Sequence, residues 1–271
     1  MRLTTSPRFL NTVLLGGGTS QKLAAAASAG FDQVEIWRQD VEPTSAAAVR
    51  SALQDTAMGL TDVQVLLDFD GAPDPHRRDK RHEAIGLLDL AAALGARTVL
   101  VPASTDTRCI GDRVGPDLRW LCAEAGSRGL RIAYEGMAWS VLNSTLPAVW
   151  RQVQAVDADN LDIVVDAFHL FAAGRSVDDL RGIPAHRIAL VQLSDVQQQP
   201  LPGHVIDTAR HARCLPGEGI WPVHELLDAL QDMGYSGPVG LEVFNDALKA
   251  EDVGTVAQRA MDALDRVLSR R

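Results

Sequence analysis

One local pattern recurs along this chain: a helical or alanine-rich stretch, a glycine, a few residues, then a short apolar run. Gln21–Ala29 stops at Gly30 before Gln33–Trp37, and Ser45–Met58 stops at Gly59 before Asp62–Leu67. Arg78–Leu94 with Gly95 precedes Thr98–Val101, and Asp117–Arg128 with Gly129 precedes Arg131–Glu135. Val223–Met233 with Gly234 precedes Val239–Phe244. Glycine belongs there because a helix commonly ends on a residue in the left-handed region. Leu10–Leu15, Leu161–Asp166 and Ile188–Leu193 complete a set of eight apolar runs. Eight strand-then-helix units predict an α/β protein, a single (β/α)8 TIM barrel domain over residues 1–271. An open doubly wound sheet is the alternative, but it usually has fewer strands in this length. Gln197–Gly219 is the longest stretch without clear periodicity, and loops of that length are usually functional or mobile.

Composition narrows the partners. Lys and Arg number 26 against 35 Asp and Glu, a net charge of -9, which weighs against a nucleic-acid binder with its basic face. The three cysteines, Cys109, Cys122 and Cys214, form no C-x-x-C pair and fit reduced thiols. No apolar run approaches the roughly 20 residues that span a bilayer, and Met1–Pro7 lacks the apolar core of a signal peptide. The expectation is a soluble, cytoplasmic protein acting on a small molecule, with self-association left open.

Reacting groups of a parallel barrel sit at the C-terminal ends of its strands. Strand five ends in Glu135, strand six in Asp166, strand seven carries Gln192 and strand eight Glu242. Three carboxylates brought to one rim would repel one another and raise their pKa values. A divalent metal held by oxygen ligands resolves the repulsion, and this hard-to-borderline donor set would take Mg²⁺, Mn²⁺ or Co²⁺. The competing reading is that each carboxylate caps the following helix or pairs with a nearby arginine.

His169, three residues after Asp166, falls in the loop above that rim, and His211 lies in the long insertion. Either can be a ligand or a general acid or base, and His211 can equally be a solvated loop residue. His224-Glu225 does not extend to H-E-x-x-H, because position 228 is aspartate. Gly16-Gly17-Gly18-Thr19-Ser20 lacks phosphate-loop spacing and reads as a turn with Thr19 or Ser20 capping the next helix. Trp37, Trp139 and Trp221, near strand ends or a helix start, can wall a pocket or simply pack.

These stretches taken together resemble a known family. Gly30–Ile36 (GFDQVEI), Asp68–Gly71 (DFDG), Arg128–Trp139 (RGLRIAYEGMAW), Asp166–His169 (DAFH), Val191–Asp195 (VQLSD), Arg210–Gly219 (RHARCLPGEG) and Leu241–Asp246 (LEVFND) occur in order along most of the chain. They resemble the xylose-isomerase-like barrel superfamily, and within it the bacterial 3-dehydroshikimate dehydratases. The resemblance implies Glu135, Asp166, Gln192 and Glu242 as metal ligands and His169 and Arg213 as substrate contacts, with His211 and Trp139 beside the substrate. Two positions depart from it: Leu67 stands where the dehydratases usually have arginine, and Ser140-Val141-Leu142 where they usually have Gly-Arg-His.

The implied activity is metal-dependent dehydration of a cyclic β-hydroxy ketone such as 3-dehydroshikimate, giving protocatechuate. His169 would move a proton, with Glu135 or Glu242 as the carboxylate alternative. Isomerisation or epimerisation of a sugar or polyol ketone is the rival activity. An apurinic endonuclease would need more metal-binding histidines and a basic face.

Overall fold

The structure, a computed structural model, describes residues 3–269. Eight parallel strands close in sequence order: β1 (Arg8–Asn11), β2 (Gln33–Trp37), β3 (Gly59–Gln64), β4 (Thr98–Pro102), β5 (Arg131–Glu135), β6 (Leu161–Asp166), β7 (Ile188–Leu193) and β8 (Val239–Leu241). β8 returns to β1 through pairs such as Phe9 with Gly240, so the sheet has no free edge. Around it run α1 (Thr19–Ala29), α2 (Arg38–Val41), α3 (Ala46–Asp55), α4 (His76–Leu94), α5 (Gly111–Gly126), α6 (Leu146–Val156), α7 (Ala167–Ala172), α8 (Val205–His211), α9 (Val223–Asp232), α10 (Asp246–Lys249) and α11 (Val253–Ser269). The (β/α)8 barrel expected from the glycine rhythm is the observed fold.

Several boundaries differ from the sequence pattern, each for a local reason. β1 ends at Asn11 because that side chain accepts from Val13 N–H and caps a 3₁₀ turn over Thr12–Leu14. Gly59 is not a helix cap. It opens β3, donating to Asp32 C=O, while α3 stops at Asp55 and Ala57 makes the left-handed turn with φ 54°. α5 starts at Gly111 and runs through Pro116, rather than starting after it. α1 is capped by Gly18 rather than by Thr19 or Ser20, with the Gln21 side chain accepting from Gly18 N–H.

Successive residues of a strand point to opposite faces. Inside the barrel Phe9, Val65, Leu100, Ala133, Val164 and Leu190 form one apolar cluster, separate from the larger core under the helices. Gly240 is part of this packing: a Cβ there would collide with the Phe9 ring and carbonyl. The inner layer closes the barrel floor, so the ligand-sized space lies above it at the strand ends.

Carboxylates tie the loops above that layer. Asp68 accepts from Thr105 N–H at 2.8 Å and Asp106 N–H at 3.2 Å, drawing the loops after β3 and β4 together. Asp70 accepts from Ser104 N–H (2.8 Å) and Tyr134 O–H (2.6 Å), and Asn143 donates to the same Tyr134 oxygen (3.0 Å). The span 197–219 is not structureless; it contains α8 and is anchored by Asp195. That carboxylate collects the N–H groups of Val196, Gly217, Gly219 and Trp221 at 2.8–3.2 Å. A Cβ at Gly219 would strike the Asp195 carboxylate and the Val196 carbonyl, so the anchor requires glycine.

Candidate active site

Asp166 and Gln192 are register partners on neighbouring strands, and Gln192 is level with Gly240. Glu242, two residues beyond Gly240, therefore lies on the same face, one step higher. Glu135 completes the group from the end of β5. All four side chains are buried. Ligand atoms of Glu135, Asp166 and His169 lie within 4.8 Å of one another.

The carboxylates are not equivalent. Asp166 does both things that the competing reading asked of it: Oδ1 caps α7 by accepting from Phe168 N–H at 2.6 Å, and Oδ2 accepts from Arg213 Nη1 at 3.0 Å. Glu242 accepts from Asn11 Nδ2 at 3.0 Å and from Arg213 Nη1 at 3.2 Å. Glu135 Oε1 is buried with no hydrogen-bond partner among the described residues, and so is Gln192 Oε1. Burial, then repulsion from Glu242 and Asp166, holds the Glu135 carboxyl well above the usual carboxylate range. Burial pushes Glu242 up to about 8 although Arg213 pulls against it.

Arg213 is buried between the rings of Phe168 (4.4 Å) and Phe244 (5.1 Å). Its single charge faces three carboxylates, and its Nε is taken by Ala209 C=O. The excess negative charge and the two orphaned oxygens are what a divalent cation would satisfy, so these residues fit one.

His169 is buried beside them, with Nε2 3.6 Å from Asp166 Oδ2 and 3.8 Å from Glu135 Oε1. Its Nδ1 accepts from Ala138 N–H at 3.3 Å. Burial lowers its pKa to about 4, so the ring is neutral near pH 7 and its one proton sits on Nε2.

A cavity of about 530 Å³ is lined by Glu135, His169, Arg213 and Glu242, with Trp37, Trp139 and Leu67 on its walls. Trp139 stands edge-on to His169 at 4.9 Å. His211 also borders the cavity, exposed, with Nδ1 2.9 Å from Asp246 Oδ2. Trp221 instead packs against Phe168 and Phe171. Leu67 is 42% exposed.

Other polar groups at the site carry no expectation from the sequence. Asn11 links Glu242 to the indole of Trp37, whose Nε1 donates to Asn11 Oδ1 at 2.9 Å. Lys249 and Arg210 border the cavity without an ion pair to a described residue. Glu35 and Asp62 lie buried side by side in register on β2 and β3. Burial raises both, Asp62 to about 7; repulsion from Asp62 and Glu242 adds to the rise at Glu35, whereas the hydrogen bond with Glu35 pulls Asp62 down. Their sequence signal is parity: each is two residues before a strand-end residue, Trp37 or Gln64, and shares its face.

Residues 23–267 match the family model described as the xylose isomerase-like TIM barrel. This chain belongs to that family. A 3-dehydroshikimate dehydratase of Pseudomonas putida is 35% identical over 265 residues, 96% of this chain and 41% of that protein. The one from Pseudomonas aeruginosa is 34% identical over 90% of this chain and 39% of its own length. The chain thus spans about two fifths of these two relatives. An inosose isomerase of Halalkalibacterium halodurans is 24% identical over 89% of this chain and 88% of that protein. Among solved structures, a xylose isomerase-like TIM barrel/4-hydroxyphenylpyruvate dioxygenase fusion protein superposes with TM-score 0.92 at 33% identity, covering 97% of this chain and 42% of that one. The IOLI protein with a binding zinc atom superposes with TM-score 0.86 at 21% identity, covering 97% and 98%, a likeness of fold.

Proposed function

We propose that this chain is a divalent-metal-dependent dehydratase acting on a cyclic β-hydroxy ketone that carries a carboxylate, with 3-dehydroshikimate the substrate and protocatechuate and water the products. The observation that carries the reading is a neutral histidine with its Nε2–H toward a carboxylate cluster that contains two unpartnered buried oxygens. Relatives named for that activity at about 35% identity support the substrate.

Glu135, Asp166, Gln192 and Glu242 would hold the ion, Mg²⁺, Mn²⁺ or Co²⁺, which when bound stabilises negative charge developing on the ketone oxygen. Glu135 takes the proton next to the carbonyl, because of the three carboxylates it alone has no described hydrogen-bond donor on its side chain. Glu135 then passes that proton to the β-hydroxyl as its C–O bond breaks, while His169 Nε2–H donates a hydrogen bond to the departing oxygen, releasing water and leaving a ring diene. A keto–enol shift of one ring methylene proton then completes the aromatic catechol.

Arg210, Lys249 and the Nη2 of Arg213, which has no hydrogen bond to a described residue, supply cationic donors for the carboxylate. Trp139 and His211 complete the wall. The deciding experiment incubates the protein with Mn²⁺ and 3-dehydroshikimate and follows aromatic absorbance and product mass. Formation of protocatechuate supports the assignment. Unchanged substrate, with a sugar or cyclitol ketone isomerised instead, overturns it.

A further inference from the structure

Glu35 and Asp62 face each other in the layer below the site, among residues that are otherwise apolar: Leu100, Ala133, Val164 and Leu190 on the other strands. Both carboxylates are completely buried, and neither has an arginine, lysine or histidine bonded to it among the described residues. No N–H or hydroxyl among the described residues donates to Asp62 Oδ1 or Oδ2, whose close polar neighbour is the Glu35 carboxyl. A buried acidic pair that also feels Glu242 and Glu135 above it costs stability, and an apolar side chain would close the floor better. Besides its contact with Asp62, the Glu35 side chain accepts from one donor: Gln192 Nε2 donates to its Oε1 at 2.9 Å and its Oε2 at 3.2 Å.

That contact decides something about Gln192. A primary amide presents an oxygen and an NH2 group of nearly the same shape, and only the oxygen can bind a cation. With both hydrogen bonds to Glu35 drawn from the nitrogen, the oxygen is left as the buried, unpartnered atom. We propose that Glu35 is a positioning residue, which fixes the Gln192 amide so that its oxygen rather than its nitrogen is offered to a bound divalent cation. The inference rests on the reading of Gln192 as a ligand. It explains why an acid is kept in the floor directly beneath the strand-seven amide, where support of this kind typically changes metal affinity 10–100-fold.

The test is titration of metal-free protein with Mn²⁺ by calorimetry, with the thermal midpoint of the metal-free form as a second readout. Glu35→Met removes the acceptor and should raise Kd about 10–100-fold without lowering the metal-free midpoint. Glu35→Gln loses the charge but keeps an amide oxygen to accept from Gln192, so its Kd should stay within about threefold of wild type. Gln192→Ala should weaken binding by itself, and adding Glu35→Met to it should change nothing more. If Gln192→Ala leaves Kd unchanged, the ligand reading fails. If Gln192→Ala weakens binding but Glu35→Met does not, Glu35 has no part in the site and positioning is overturned; if Glu35→Gln is as damaging as Glu35→Met, positioning is overturned in favour of charge. Should Glu35→Met fail to fold, hydrogen exchange of the Gln192 side-chain NH2 in the metal-free wild-type protein decides: slow exchange supports the anchor, and exchange at the rate of a free amide overturns it.

Discussion

Ala138 N–H donates to Nδ1 of His169 at 3.3 Å. A backbone amide has only a proton to give, so this bond leaves Nδ1 as acceptor and places the single proton of the neutral ring on Nε2. Nε2 is the atom nearest Glu135 and Asp166, and in this tautomer it has no lone pair for a cation. His169 is therefore read as a hydrogen-bond donor to the leaving oxygen at the edge of the metal group rather than a ligand within it. His169→Ala should retain stoichiometric Mn²⁺ by elemental analysis while kcat falls by about 10²–10⁴-fold. Loss of metal together with activity would instead make His169 a ligand.

Metal removal should separate stability from activity. Chelation is expected to abolish turnover, and Mn²⁺ at a hundredfold excess over Kd should stabilise the fold by about 2.7 kcal/mol. Glu135→Gln removes a charge that burial and two neighbouring carboxylates disfavour. The metal-free midpoint of this variant should be equal to or above wild type, while its Mn²⁺-induced shift shrinks. Glu242→Gln should behave alike, with a smaller gain in the metal-free form because Arg213 already offsets that charge. Differential scanning fluorimetry with and without Mn²⁺ reads both quantities. A full Mn²⁺ shift in both variants would remove these residues from the metal site.

The barrel is legible in the sequence because Gly30, Gly95 and Gly234 each end a helix with a positive φ just before an apolar strand. Polar strand ends are legible for the same reason: Asp166, Gln192 and Glu242 interrupt apolar runs where burial has to be compensated. What lies one step deeper is not. Glu35 and Asp62 sit in mid-strand, and only the three-dimensional register shows that they adjoin each other and Gln192. The double pairing of Arg213 to Asp166 and Glu242 is likewise a long-range contact, made by a loop that Asp195 folds back over the strand ends. Lys249 belongs to the four-residue helix α10, too short to announce itself by periodicity.

Away from the metal group, Asp70 gives a pH signature. Burial raises its pKa to about 6 from an ordinary 3.8, against the pull of hydrogen bonds from Tyr134 and Ser104. Below about pH 4 the group is protonated in both folded and unfolded chains and contributes no difference. Between about 4 and 6 only the folded chain keeps the proton, so rising pH lowers stability, and the full cost is present above 6. Asp70→Asn should therefore gain stability relative to wild type as pH rises through that window, by on the order of 3 kcal/mol. Urea unfolding of both proteins at pH 4, 5, 6 and 7 measures the difference, in which the other raised carboxylates cancel. A difference independent of pH would place Asp70 in the ordinary carboxylate range.

In the proposed reading Arg210 and Lys249 answer the charge of the substrate. Both border the active-site cavity, and neither is paired to an acid of the described chain, whereas His211 beside them already faces Asp246. Arg213 has spent Nη1 and Nε on Asp166, Glu242 and Ala209, so it offers a carboxylate Nη2 alone. Leu67 contributes an apolar wall to the same cavity, with no cation there to share the load. Charge-assisted hydrogen bonds of this kind contribute roughly 1.5–3 kcal/mol. Arg210→Ala and Lys249→Ala should each raise KM for 3-dehydroshikimate about 5- to 50-fold and leave kcat within about threefold, since neither group touches the reacting carbons in this reading. The double variant should bind inhibitory ring carboxylates poorly but neutral cyclitols as well as wild type does, a contrast that inhibition constants report even where turnover is slow. Equal weakening toward charged and neutral ligands would mean that the two cations shape the mouth of the cavity without recognising an anion, and would favour a neutral sugar or polyol ketone as the substrate.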